Sequence, residues 1–488
     1  MPRYQRELSY DDSKGLGDDK LSPTAEVPGL HKDGQEYEVT VREVDAAFAA
    51  LVAEEADHDI KLRTMSWQKT ALLLLGDQVC LAIMAQAWSF KVLGWVPGLI
   101  TTFLAGVFFW VTSYTLWRFM MKYPGCRDIC DVGYHLFGKS KIAYEVTGLM
   151  LLANNILLIG FHVLTGAKIL NTLTDHSQCS VVFGVIAALM GIVLSLPRTL
   201  NHVSLMSIFS AAAMGIAIIL FMVFAGIESN PATGYGGDYP TVGLVATNAF
   251  PASTTTWVDC LNAVLNITFL WVPQILFPSF VREMKRPQDF PKALSVLACA
   301  SFVLFIVPAI VGYHYLGQYA EAPAFGSLQD NYKKISFAFV IVPTLVIGAI
   351  YSNVSSKYIY QRIMGNSKHA HSNTIIGWGV WTGVVVAVWG IAFIFGEVIP
   401  SMGDFLSLLG AAFDSFYGFI FWAIAYGLLE RGQYFKGPLK SVNTIFHVIT
   451  MVVGLFLLGP GLYAAVDAIM ADYAGSTRPA FSCKNLAI

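Results

Sequence analysis

From about residue 67 to residue 467 the chain repeats one pattern: a long apolar run, then a short polar interval. A helix rises about 1.5 Å per residue, so about 20 apolar residues cross roughly 30 Å of hydrocarbon. The pattern predicts eleven such spans, over about residues 69–93, 96–121, 142–167, 179–197, 203–227, 255–280, 291–317, 333–361, 374–396, 400–429 and 442–467. The first 66 residues are polar, acidic and punctuated by Gly and Pro, which predicts a disordered cytosolic tail. Within it, Val44, Ala47, Phe48, Leu51 and Val52 have the spacing of a short amphipathic helix over Val41 to Ala56. The helical body then takes residues 67–470, and residues 471–488 form a short outer tail. The opening run MPRYQRELSYDDSKGLGDDK has no apolar centre, so no cleavable signal peptide is expected and the first span directs insertion.

Charge sharpens this picture. Of 488 residues, 55% are hydrophobic and 13% charged, against about 25% charged in soluble domains. Residues 1–70 hold 9 of the 31 Lys+Arg and 15 of the 33 Asp+Glu, so 40 charges serve the other 418 residues. That is too few to solvate a water-exposed surface of such size. A soluble enzyme, a nucleic-acid binder and a disulfide-rich secreted scaffold are excluded; the chain is an all-α polytopic membrane protein. Lys and Arg fix its orientation. With the N-terminus inside, cytosolic loops receive Arg118, Lys122, Arg127, Lys139 and Lys141, then Arg198, then Arg282, Lys285, Arg286 and Lys292, then Lys357, Arg362 and Lys368, then Arg431, Lys436 and Lys440. The long outer loops, about 228–254 and 318–332, contain no Lys or Arg. The expectation is therefore N-in and C-out. Asn266-Ile-Thr268 and Asn353-Val-Ser355 match a glycosylation pattern, but both fall inside spans, where no glycan can be added.

Function is sought where spans are interrupted. Non-helical backbone survives at membrane depth only where it is buried in protein or lines a cavity. The first span reads LLLLGDQVCLAIMAQAWSFKVLGW, interrupted at Gly76, Asp77 and Gln78. The sixth reads DCLNAVLNITFLWVPQILFPSF, with Pro273, Gln274 and Pro278 midway and Asn262 and Asn266 earlier. Proline removes a donor and clashes with the preceding turn, so a kink or opening is expected there. The two segments start five spans apart. An odd repeat length inverts the second copy, predicting an inverted 5+5 repeat plus one extra helix. Broken helices at corresponding positions point to a transporter's substrate site. Freed amides suit a carboxylate and freed carbonyls an ammonium, so a zwitterionic amino acid matches both. The predicted substrate-binding residues are Gly76, Asp77, Gln78, Ala82, Phe269, Trp271, Pro273 and Gln274, with Trp88, Phe90, Phe269 and Trp271 walling a wide apolar pocket. No Lys or Arg lies deep in the spans, which favours neutral substrates.

Ionisable residues in a bilayer default to functional hypotheses. Asp77, at the first interruption, is the candidate proton carrier, with helix capping as its alternative role; Asp414 in the tenth span is the second candidate. Ser355 and Ser356, beside Ser352 and Asn353 in the eighth span, would serve a sodium ion in a sodium-coupled version. Their alternative is bonding back to carbonyls of their own helix. No catalytic cluster, cofactor site or zinc-ligand spacing is present in the sequence, and an intramembrane enzyme is not expected.

The stretch from Gly76 to Ile100, ending LGWVPGLI, resembles the first span of the amino acid/auxin permease family. Phe269-Leu-Trp-Val-Pro-Gln, followed by REMKRPQDFPKAL (282–294), resembles that family's sixth span and its Met-Lys-x-Pro-x-x-Phe exit. The resemblance covers roughly residues 65–470, and within the family it is to the fungal neutral amino acid permeases of the N system. It implies an APC/LeuT-like fold with an eleventh helix, and proton-driven uptake of aromatic and aliphatic amino acids. Two places depart from the family. Its Gly-x-Leu-x-Leu-Pro is here Ala82-Ile-Met-Ala-Gln-Ala87, and its Gly-His or Gly-Gln is Pro273-Gln274. An outer disulfide known in some relatives has no evident counterpart, since Cys179 finds no partner in the 228–254 loop. The expected partners are an amino acid and the lipid bilayer, not nucleic acid, and the expected address is the plasma membrane, with the vacuolar membrane as alternative. A receptor of transporter fold, signalling through the acidic tail, is the competing class.

Overall fold

The computed structural model describes residues 63, 65–198, 200–228, 244–365, 367, 374–399, 401–475 and 479–486. The acidic tail and its amphipathic segment therefore lie outside the described residues, apart from its last few positions. The described chain is all helical. Among the described residues eight helices are long and apolar enough to cross a membrane, and a ninth span is counted if Trp67–Gln78 and Leu81–Leu93 are joined across their 48° bend.

In chain order, α1 (Trp67–Gln78) and α2 (Gln86–Leu93) flank the first break, followed by α3 (Trp95–Lys122). A short helix, α4 (Ile129–Leu136), sits in a loop that the sequence pattern left without structure; the Asp128 carboxylate caps it by accepting from the amides of Cys130 and Asp131. α5 (Lys141–Leu173), α6 (Ser180–Ser195) and α7 (Leu200–Ile227) follow. The second break lies between α8 (Trp257–Phe269) and α9 (Phe277–Glu283). Then come α10 (Phe290–Leu316), α11 (Asp330–Met364) and α12 (Ile375–Val398). α13 (Met402–Leu409) passes through a π-helical segment, Gly410–Ile420, into α14 (Phe421–Leu429). Last, α15 (Pro438–Phe456) joins α16 (Leu462–Gly475) through a second π segment, Leu457–Gly461.

Local chemistry sets these boundaries. Ser140 caps α5, Thr374 caps α12 and Ser401 caps α13, each by accepting a backbone amide hydrogen. Thr256 and Asp259 form a reciprocal capping box at the start of α8. Gly94 turns the chain from α2 into α3 at φ 78°, and a Cβ there would come within 2.8 Å of the backbone at Ala249 and Phe250. The apolar residues pack into one main core, while the outward faces of α5, α6 and α15 expose large aliphatic side chains such as Leu149, Val193 and Val452. In water that exposure would be costly; against lipid tails it is the stable arrangement.

Three features differ from the sequence expectation. Residues 317–329, most of the expected outer loop 318–332, are folded inward in short 3₁₀ turns, with Tyr319, Ala320, Ala324, Phe325 and Leu328 almost fully buried. Phe325 packs edge-on against Phe221 and Phe337, so aromatic burial holds this segment down. On the opposite side, Met65 pairs with Met284: its amide donates to the Glu283 carbonyl (3.0 Å) and its carbonyl accepts from Lys285 (2.8 Å). Finally, Cys179 does have a partner, Cys483, 304 residues later in the tail, not in the 228–254 loop. The Ser180 hydroxyl donates to the Lys484 carbonyl beside this bond, and Leu486 packs onto Ala167 and Phe183. Sequence spacing gives no clue to a pairing made only when the tail returns across the fold.

A disulfide closing so long a loop is worth roughly 2–4 kcal/mol. Replacing Cys483 with Ser is expected to lower the thermal midpoint in detergent and to make Cys179 reactive toward maleimide without reduction. Mass mapping of alkylated thiols checks this, and an unreactive Cys179 in the variant would count against the pairing.

Candidate functional site

The first interruption falls slightly later than the polar residues suggest. Gly76, Asp77 and Gln78 remain helical in the final turn of α1. Val79 (ψ 75°) and Cys80 (φ −119°, ψ 168°) then leave helical geometry, and the chain restarts as a 3₁₀ turn, Leu81–Ala85. Gly76 serves close packing: a Cβ there would lie 3.1 Å from Ser207 Oγ on α7. Ala82 is buried in the 3₁₀ turn, which packs against α11.

The second interruption is at Leu270–Val272. Pro273 does not kink a continuous helix; it opens a new 3₁₀ turn, Pro273–Ile275, and Pro278 sits in the first turn of α9. Both prolines thus occupy positions where a missing N–H costs little; of the two expected outcomes, a kink or an opening, the span opens.

The two breaks touch. Gln78 Nε2 donates to the Leu270 carbonyl (3.3 Å), and Gln86 Nε2 donates to the Asn266 carbonyl (3.1 Å). Both acceptors lie at the end of α8, where no following helical turn supplies a donor. The far end of the Gln78 amide is held as well: Ser301 Oγ on α10 donates to Gln78 Oε1 at 2.8 Å. Gln274 reaches the other way, its Nε2 donating to Thr112 Oγ1 on α3 (3.1 Å).

Against this geometry, a family model for transmembrane amino acid transporter proteins matches residues 63–466. The chain belongs to the amino acid/auxin permease family. Among curated proteins it is similar to the N amino acid transport system protein of Neurospora crassa, 28% identical over 473 residues that cover 96% of this chain and 98% of the relative. It is also similar to a transmembrane transporter of Gibberella moniliformis, 25% identical, covering 88% of this chain and 90% of the relative. A nucleobase-cation-symport-1 family transporter, solved in a closed conformation with bromovinylhydantoin bound, is 14% identical at a TM-score of 0.49, covering 85% of this chain and 93% of that one. Family and helices together make the chain a multi-pass membrane transporter, not an enzyme.

Not every aromatic residue expected at the site of this transporter meets there. Trp271 is buried among Phe109, Phe302 and Phe305, with ring centroids 5.7, 4.8 and 4.9 Å away. Half-buried Phe269 and Trp88 border the same core. Phe90 instead belongs to a separate cluster with Trp95 and Tyr313, so it does not wall a common pocket with Trp271. Phe90 lies on α2, beyond the 48° bend, and packs against Tyr313 near the C-terminal end of α10.

Several buried polar atoms at the breaks have no hydrogen-bond partner among the described residues: Asp77 Oδ1, Trp271 Nε1 and Gln274 Oε1. The hydroxyls of Ser352, Ser355 and Ser356 on α11 are in the same condition, so the back-bonding alternative is not realised. Asp414, in the π segment, has an unpartnered Oδ2. A π-bulge commonly marks a functional position.

Two side chains that sequence reasoning did not place in the site prove to be structural to it. Gln86 is one. Asn266 is the other: its Nδ2 donates to Ser407 Oγ (2.8 Å), the Asn262 carbonyl (2.9 Å) and the Gly403 carbonyl (3.3 Å). Asn262 in turn donates to the Ala464 carbonyl (3.1 Å). Their only signal in the sequence was polarity at membrane depth, which does not name a partner. Because Asn266 is fully buried, replacing it with Leu removes the donor from three acceptors at once. A loss of about 1–3 kcal/mol is expected, read as a lower thermal midpoint, with Asn266→Gln intermediate. An unchanged midpoint would show that the network is not holding α8 to α13.

Proposed function

We propose that this transporter imports neutral amino acids with protons, by alternating access through an eleven-span, N-in and C-out body built on an inverted 5+5 repeat plus one helix. The observation that carries the reading is the direct contact of two interrupted spans, with Gln78 of the first bonded to Leu270 of the second. The apolar helix α6, of 16 residues, and the broken run α8–α9 supply the two spans beyond the nine of full length. Orientation is supported by the Lys and Arg asymmetry and by the disulfide. Cys179 and Cys483 must lie on one side, and disulfides persist on the oxidising side. An eleven-span body separates them by eight crossings, which is consistent with both being outside.

Substrate class follows from the lining. Residues 70–90 and 257–281 contain no Lys or Arg, so a carboxylate would be met by backbone amides near Gly76–Ala82 and Pro273–Gln274. A second negative charge would find no cation. Trp271 and Phe269 present apolar surface suited to aromatic and aliphatic side chains. The relative from Neurospora, named as an N amino acid transport system protein, supports the same class. Proton coupling is assigned to Asp77, whose buried Oδ1 has no hydrogen-bond partner among the described residues. Sodium is the second reading, favoured by the unpartnered hydroxyls of Ser352, Ser355 and Ser356. The plasma membrane is the proposed address.

In proteoliposomes, an imposed pH gradient is expected to drive accumulation of leucine and phenylalanine but not glutamate. Asp77→Asn should abolish gradient-driven accumulation while leaving exchange of labelled substrate. Accumulation driven by sodium alone, and lost in Ser355→Ala with Ser356→Ala, would transfer the assignment to sodium.

A further inference from the structure

A carbonyl released from helical bonding inside a membrane must find a donor or bear an energetic cost of about 1–3 kcal/mol. At the second break that donor is a side chain. At the end of α8, Thr268 accepts from the Leu270 and Trp271 amides, Phe269 from Val272, Asn266 from Gln86, and Leu270 from Gln78. The Leu270 carbonyl is the first that lies within the break itself.

We propose that Gln78 is a specificity-determining competitor: its amide occupies the Leu270 carbonyl, and only a substrate bearing an ammonium group displaces it. The inference rests on the reading of the paired breaks as an amino acid site. Bond strengths support an exchange. The Gln78 contact joins two neutral groups at 3.3 Å, near the long end of the hydrogen-bond range. A charge-assisted bond from an ammonium group is shorter and roughly twice as strong. The displaced amide is not lost, because Ser301 Oγ still holds Gln78 Oε1 at 2.8 Å. Gln78 therefore swings about an anchor on α10. Gln86 differs: it satisfies a carbonyl one turn earlier, inside the helix end that the Asn266 network fixes, and it stays in place during exchange. A carboxylic acid without an amino group cannot supply the replacement donor, so it would leave the carbonyl bare and bind weakly.

The test compares wild type, Gln78→Leu and Ser301→Ala in proteoliposomes, using leucine and its des-amino analogue 4-methylpentanoate as competitors of labelled leucine uptake. Removing a competing neutral hydrogen bond is expected to lower the half-saturating leucine concentration about threefold to tenfold in Gln78→Leu. A smaller shift in the same direction is expected in Ser301→Ala, which loosens the anchor. Inhibition by 4-methylpentanoate should be equally weak in all three. A raised or unchanged half-saturating concentration in both variants overturns the proposal, as does an equal gain for the des-amino acid, which would mark a purely steric effect. If Gln78→Leu does not fold, the direction of the Ser301→Ala shift decides. Wild type that takes up no amino acid under any gradient defeats the amino acid reading of the site, a result distinct from these.

Discussion

Hydrocarbon offers no water to an unpaired backbone group, and this constraint shapes the whole molecule. Two spans give up helical bonding midway, so each needs donors and acceptors from elsewhere. The solution is mutual. Two glutamines of the first span cap carbonyls at the end of α8, and the N-terminal flank of the first broken span is joined to the C-terminal flank of the second by the backbone pairing of Met65 with Met284. The breaks are stable because they were built as a pair.

From that pairing the rest of the packing follows. The first broken span lies against α7 and α10, and the second against α3 and the π segment. Asn262, Asn266 and Ser407 lock α8, the N-terminal half of the second broken span, to α13 and α16 with side-chain amides and hydroxyls. Outside the breaks, aromatic burial fastens residues 317–329, and one disulfide draws the tail back to α6. Buried polar atoms without a hydrogen-bond partner among the described residues are most numerous on α11, at Ser336, Ser352, Asn353, Ser355 and Ser356, and others lie at the breaks, on Asp77, Trp271 and Gln274. In the proposed function such groups stay available because a bound substrate and ion would supply the partners that packing does not.

Ionisable groups are distributed by the same logic. Charged pairs such as Arg118 with Glu430 and Arg362 with Glu145 lie at the cytosolic ends of helices in the proposed orientation, where solvent shares the cost of ordering them. Asp77 and Asp414 have no such partner among the ion pairs of the described residues. An uncompensated carboxylate in hydrocarbon is costly, which is why coupling is proposed for Asp77.

The sequence by itself determined the membrane class, the family, the position of the long helices to within about eight residues at either end and the existence of two interruptions. All of these are encoded in the order of apolar and polar residues along a local stretch. Asp77, Gln78, Trp271 and Gln274 were legible as site candidates because polar or aromatic residues beside a break are rare in lipid-facing helices. Tertiary structure alone decided which groups pair: Gln78 with Leu270, Gln86 with Asn266, Cys179 with Cys483. It also decided that Phe90 turns away from Trp271, that the breaks fall just beyond Gly76–Gln78 and just before Pro273, and that residues 317–329 are buried. These depend on contacts between segments up to 304 residues apart, and periodicity along the chain carries no information about distance across it.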